Sequence, residues 1–216
     1  MNNKKTIALL LFDDVEVMDF AGPFEVFSVT NELNQDYLFT LRTVAVTTDP
    51  VIARNGLSVN PDVQLDAMPQ ADIIIIPGGD GTRAVLSQPV VMNWIKQVST
   101  HAEHILSVCS GALLLAGAGL LNDMPATTHH EVFDTLAELS PSTRLIRDQR
   151  FVDNGKIVTS AGISAGIDMS LYMVARLYGH DIAQKTARYM EYPYFTETDN
   201  SQNEDRFNDN SPLAFM

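Results

Sequence analysis

The chain carries a single cysteine, Cys109, placed between the apolar run Ile105-Leu106-Ser107-Val108 and the small residues Ser110-Gly111-Ala112. A strand that turns sharply into a helix would lift this thiol to the carboxyl edge of a sheet. The N-terminus of the following helix would favour thiolate, the chemistry of a nucleophile elbow. The Ser110 N–H would then face a developing anion. The competing reading is a buried, inert thiol, and spacing alone leaves both open. Three further segments hold polar groups where a reaction would need them. Pro77-Gly78-Gly79-Asp80-Gly81 ends another apolar run, and glycines there let backbone N–H groups approach a ligand; taken alone, an ordinary turn explains them better. Asp19, ahead of Pro23 and Glu25, suits the positive end of a helix, or it is a carboxyl group that faces Cys109. His129 either pairs with a nucleophile or simply opens a helix, with Thr128 as cap and Glu131 at its third position.

Other candidates carry less. His101 and His104 have no further ligand nearby, which predicts solvated side chains and no metal site. His180 reads as a cap or surface residue. The glycine turn lacks the Lys-Ser/Thr of a phosphate loop. The small-residue run from Thr159 to Asp168 predicts tight loop–helix packing, with Ser164 as cap and Asp168 in the first turn.

These residues need a scaffold that brings strand ends together, and the hydropathy pattern supplies one. Short apolar runs at 7–12, 38–47, 72–76 and 104–108 predict strands. Helical spacing covers 22–30, 90–100, 110–117, 131–139, 165–178 and 182–190. Asn55-Gly56 marks a hairpin excursion within 50–65, and Asp153-Asn154-Gly155 separates two strands within 144–159. Continuous apolar strands alternating with helices predict an α/β fold, a mostly parallel sheet with helices on both faces. Ligand sites in such sheets lie beyond the carboxyl ends of the strands.

At 216 residues the chain is long enough for one domain with a full core, expected over 1–195, followed by an acidic polar tail over 196–216. The formal net charge of −13, from 27 acids against 14 Lys plus Arg, opposes contact with nucleic acid or an anionic membrane surface. One cysteine excludes internal disulfides and multi-thiolate zinc sites. The apolar run after Lys4-Lys5 is too short for a signal peptide and ends in Asp13-Asp14; a cytoplasmic location is expected.

Five segments in order carry a resemblance. They are Met18-Asp-Phe-Ala-Gly-Pro23, Ile76-Pro-Gly-Gly79, Ser107-Val-Cys-Ser-Gly-Ala112, Ala126-Thr-Thr-His129 and Ala161-Gly-Ile-Ser-Ala-Gly-Ile-Asp168. Together they resemble the ThiJ/PfpI superfamily, related to class I glutamine amidotransferases, from about Ile7 to Tyr189. The likeness is greatest to its isonitrile hydratase branch and to the sensor domains of AraC-type regulators. The resemblance implies a flavodoxin-like three-layer sandwich with a nucleophile elbow. It also implies a nucleophile at Cys109, an acidic partner at Asp19 and an oxyanion or substrate site at Gly78, Gly79 and Ser110. His129 would sit behind them. It implies a cofactor-independent enzyme that acts on a small-molecule substrate, forms homodimers and hydrates isonitriles to N-substituted formamides. The alternatives are glyoxalase- or deglycase-like chemistry on α-ketoaldehydes and a non-enzymatic oxidant or small-molecule sensor. Peptidase-like members place His after the nucleophile, where this chain has Ser110. Glutaminase members need a late His-x-Glu pair, which does not occur after His130. The hydratase branch usually has Thr at the position of Ser110. A short acidic stretch stands where regulators carry a DNA-binding module, so no nucleic-acid partner is expected.

Overall fold

Four consecutive isoleucines, Ile73–Ile76, form one strand and are all fully buried, as a strand covered on both faces requires. The computed structural model describes residues 4–34 and 38–194; the tail expected over 196–216 lies outside them. In chain order the described elements are β1 (Lys5–Leu10), α1 (Val17–Glu32), β2 (Phe39–Ala45), β3 (Val51–Ile52), β4 (Ser58–Val59), β5 (Val63–Gln64) and β6 (Ile73–Ile76). They continue with α2 (Thr82–Leu86), α3 (Pro89–His101), β7 (His104–Val108), α4 (Gly111–Gly117), β8 (Pro125–Ala126), α5 (Phe133–Leu139), β9 (Arg144–Leu145), β10 (Phe151–Asp153), β11 (Ile157–Ser160), α6 (Ala165–Tyr178) and α7 (His180–Tyr189).

Among the described residues, seven strands form the main sheet in the order β10-β11-β7-β6-β1-β2-β5. Every pairing in it is parallel except β10 with β11. Helices α1, α6 and α7 pack together, and α2, α3 and α5 gather around α4, so both faces are covered. This is the flavodoxin-like α/β sandwich. The central strands β1, β6 and β7 end side by side, and the site is built from the turns that leave them. No helix among the described residues is long and apolar enough to cross a membrane.

The boundaries show where tertiary context outweighs local pattern. Helix α1 starts five residues before the run of helical spacing, with Pro23 inside it. Pro23 removes the N–H that would serve the Asp19 carbonyl, so the sequence reads as if the helix begins there. The 144–159 region holds three strands rather than two, because Arg144–Leu145 pairs with Pro125–Ala126 in a separate two-residue ladder. The excursion at 50–65 is the antiparallel hairpin β3–β4, after which β5 joins the sheet edge beside β2. Asn55 and Gly56 both have positive φ at the hairpin tip, as their types predict.

Candidate active site

Cys109 directly follows β7 and has φ 57°, a left-handed conformation uncommon for a residue other than glycine. Backbone bonds hold it there. Its N–H is shared between the carbonyls of Ser160 and Ala161, at 3.2 and 3.0 Å, and its own carbonyl accepts from Thr128 Oγ1 at 2.8 Å. The turn lifts the thiol out of the strand plane and into the wall of a cavity of about 120 Å³. Only 8% of the residue is exposed. Helix α4 begins two residues on, and the Ser110 N–H and hydroxyl both reach the sulfur as hydrogen-bonding groups.

Asp19 is fully buried in the first turn of α1. It caps nothing: the cap position is Glu16, whose side chain makes no capping bond. Its Oδ2 instead accepts from the Gly78 N–H at 3.0 Å, while Oδ1 is buried without a close hydrogen-bond partner among the described residues. The Cys109 thiol and the Ile163 N–H are its neighbours on the cavity side. Burial pushes the Asp19 carboxyl up to about 7, and the nearby Glu16 charge adds to that rise. Burial likewise pushes the Cys109 thiol up to about 12, with the Asp19 charge acting in the same direction and the Ser110 donors opposing it. The two groups compete for a proton beside each other in a poorly solvated place.

Gly78 and Gly79 come to this point, but their N–H groups already have partners. Gly78 donates to Asp19, and Gly79 donates to Ser110 Oγ at 2.9 Å. The Ser110 hydroxyl is thereby aimed, with Thr82 Oγ1 also near it at 3.4 Å. A Cβ on Gly78 would stand 2.5 Å from the Ser110 nitrogen and 2.9 Å from Asp19 Oδ2, so only glycine lets the turn press against both. Gly79 has φ 122° and forms an isolated bridge to Val15, which ties this turn to the segment before α1.

His129 lines the same cavity and is not preceded by a capping Thr128. Thr128 spends its hydroxyl on Cys109, and His129 itself caps the following 3-10 turn, its Nδ1 accepting from the Glu131 N–H at 3.3 Å. Nε2 therefore carries the proton. Burial and the adjacent His130 hold the imidazole pKa below its usual range, so the ring is neutral near pH 7. Ser164 stands at the cap position of α6, yet its hydroxyl accepts from Arg150 Nη2 at 3.1 Å and caps nothing. Among the described residues, His101, His104 and His180 lie away from the cavity, and no cluster of three metal-ligating side chains occurs.

The DJ-1/PfpI family profile matches residues 5–176. The chain belongs to the DJ-1/PfpI family. Isonitrile hydratase of Pseudomonas putida is 33% identical over 189 residues, which cover 86% of this chain and 78% of that protein. The HTH-type transcriptional regulator CdhR of Pseudomonas aeruginosa is 31% identical over 81% of this chain, and the match spans 51% of the regulator. A solved THiJ/PfpI family protein from Pseudomonas syringae superposes with a TM-score of 0.80 at 31% identity, covering 90% of this chain and 78% of that one. Drosophila melanogaster DJ-1beta, at 18% identity and a TM-score of 0.78 over 89% of this chain, shares the fold.

Sequence reasoning missed several residues of this DJ-1/PfpI site. Thr82, Arg54, Glu16 and Ile163 all line or approach the Cys109 cavity. Arg54 adjoins the legible Asn55-Gly56 hairpin signal, but nothing local says that the hairpin folds over the sheet edge. Ile163, with φ 50°, has a conformation no propensity favours for a β-branched residue.

Proposed function

We propose that the protein hydrates isonitriles to N-substituted formamides, with Cys109 as nucleophile and Asp19 as proton carrier. The observation that carries this reading is the buried Asp19 carboxyl set beside an elbow thiol that also receives the Ser110 N–H and hydroxyl. The match to isonitrile hydratase supports the substrate class.

The reactive form of the pair has one proton too few for both groups. Asp19 takes the thiol proton, and the resulting thiolate attacks the terminal isonitrile carbon. Asp19 then returns that proton to the same carbon, giving a thioimidate, S–CH=N–R. Water adds across the C=N bond: its oxygen bonds carbon, and one of its protons passes through the Asp19 carboxylate to nitrogen. Collapse of the tetrahedral species forms the formamide carbonyl and expels the thiolate, while the hydroxyl proton moves to Asp19. Atoms balance as R–NC plus water to R–NH–CHO, and the pair ends as it began. An acid titrating near 7 suits a group that must both accept and donate. Ser110 would hold the sulfur-bound carbon, Gly79 would aim Ser110, and Gly78 would fix Asp19. His129, through Nε2–H, is placed behind them at the cavity wall.

Incubation of the reduced protein with cyclohexyl or p-nitrophenyl isonitrile tests this directly. Formamide formation is expected, and its absence from folded wild type overturns the reading. The match to CdhR favours a second reading, small-molecule binding without turnover; saturable ligand binding with no product would select it. The homodimer implied by the resemblance belongs to the proposal and is checked by sedimentation.

A further inference from the structure

The mouth of the Cys109 cavity is crossed by an ion-pair bridge drawn from three separate segments. Arg54 comes from the β3–β4 hairpin, Glu16 from the residues before α1, and Asp80 from the turn after β6, and all three line the cavity. Arg54 Nη1 donates to Glu16 Oε2 at 3.0 Å, and Nη2 lies 3.3 Å from Asp80 Oδ2. The hairpin that carries Arg54 is stitched to the segment that carries Glu16. The Arg54 N–H donates to the Val15 carbonyl at 3.0 Å, the Asp14 N–H to Ile52 at 2.8 Å, and the Ile52 N–H to Asp13 Oδ1 at 2.9 Å.

The two sides of the bridge face different surroundings. The Arg54 side chain is 42% exposed, whereas that of Glu16 is 18% exposed. Glu16 precedes Asp19 by one helical turn, and its carbonyl accepts the Asp19 N–H at 3.1 Å. A carboxylate so placed opposes ionisation of Asp19. The guanidinium lies within electrostatic range of Cys109 as well. As a stabilising device a half-exposed pair contributes little. Beside a buried acid and thiol its field matters more, because screening there is weaker.

We propose that Arg54 is a positioning residue for the Asp19–Cys109 pair: it holds the Glu16 carboxylate in an ion pair at the cavity mouth, so that this charge opposes less strongly the single negative charge the pair must carry to react. The other charged or titratable groups facing the cavity do not take over this task. Asp80 shares the same guanidinium, Arg83 of α2 makes no ion pair among the described residues, His129 is neutral, and Glu131 lies beside His129. Ile163, from the loop before α6, contributes only its N–H.

The proposal concerns the pair and holds for any electrophile, so its test does not depend on isonitrile turnover. Alkylation of Cys109 by iodoacetamide, followed by mass spectrometry across a pH series, reports the reactive form of the pair at the only thiol in the chain. In Arg54→Gln the pH midpoint is expected to rise by roughly half a pH unit or more, about twofold or more slower alkylation at the wild-type midpoint. Glu16→Gln is expected to lower the midpoint, the double variant to return it toward wild type, and Arg54→Lys to leave it close to wild type. A purely structural role would slow all variants without moving the midpoint. Unmoved midpoints in folded Arg54→Gln and Glu16→Gln, or shifts of both in one direction, overturn the proposal. If Arg54→Gln does not fold, Glu16→Gln with a wild-type midpoint overturns it alone. Shifted midpoints without formamide formation would uphold Arg54 and remove the isonitrile reading, so the two failures are distinguishable.

Discussion

In the proposed reaction Asp19 and Cys109 act as one titrating unit, which reacts only when it has lost one of its two protons. Asp19 is raised to about 7, so the pair is fully protonated below that pH and carries the reactive single negative charge above it. The rate constant kcat/KM is therefore expected to rise with pH through about 7 and to hold at alkaline pH, since the thiol is raised to about 12. A rate that falls between neutral and mildly alkaline pH would contradict the assignment. Asp19→Asn keeps the shape and can still accept from Gly78 but cannot carry a proton, so turnover should drop on the order of a hundredfold or more. Cys109→Ala should abolish turnover, and retention of activity there would remove the nucleophile. How much of this was readable varies by residue. Cys109 and Ser110 were legible as an elbow candidate, because a lone thiol sits between an apolar strand and small residues, but spacing alone left an inert buried thiol open as well. Asp19 did not, since a carboxyl in a first helical turn is also what a helix end prefers. Only the fold shows that Gly78, far away in sequence, donates to its oxygen.

At the scale of elements, three strand ends make the site, and each uses a different device. After β7 the chain turns through a left-handed cysteine, after β6 through two glycines, and after β1 through a segment bridged to Gly79. The two glycines do different work, and substitution should separate them. In Gly79→Ala the new Cβ would stand 2.4 Å from the Asp14 carbonyl oxygen and from the Glu16 nitrogen, both backbone, at φ 122°. That variant should lose stability by about 1–3 kcal/mol or more, read as a lowered melting temperature. In Gly78→Ala the clash falls on the Ser110 nitrogen and hydroxyl and on Asp19 Oδ2. Activity should fall further there than stability, and a variant with wild-type turnover would show that this contact is not needed. The long strands and helices were legible because burial on both faces leaves continuous apolar runs. The two-residue ladder of β8 and β9 was not, since so short a pairing has no period to detect. The helical spacing at 131–139 hid a change of cap, with His129 in place of Thr128 because Thr128 serves the elbow.

For the whole molecule, the parallel sheet buries its core strands on both faces, and the buried acid Asp19 lies at their carboxyl ends. Alternating apolar runs and helices were enough to foresee this architecture. They could not give the strand order β10-β11-β7-β6-β1-β2-β5, which depends on contacts distant in sequence. That order places β1, β6 and β7 together and so sets Asp19 beside Cys109. Holding Asp19 there has a global consequence. Its folded value of about 7 lies above the ordinary 3.8, so the native state keeps a proton that the unfolded chain releases. Below pH 3.8 both states are protonated and the contribution to stability is complete. Between 3.8 and about 7 the unfolded state ionises alone, and stability falls as pH rises. Above about 7 both states are ionised, and the loss stays constant at no more than about 4 kcal/mol. Asp19→Asn removes this proton linkage while other carboxyl groups contribute equally to both proteins. The difference between their urea-unfolding free energies should thus grow in favour of the variant from pH 4 to pH 7 and then level off. A difference that is flat across that range would mean that Asp19 is ionised in the fold at acidic pH, and the shared-proton account of the site would fail with it.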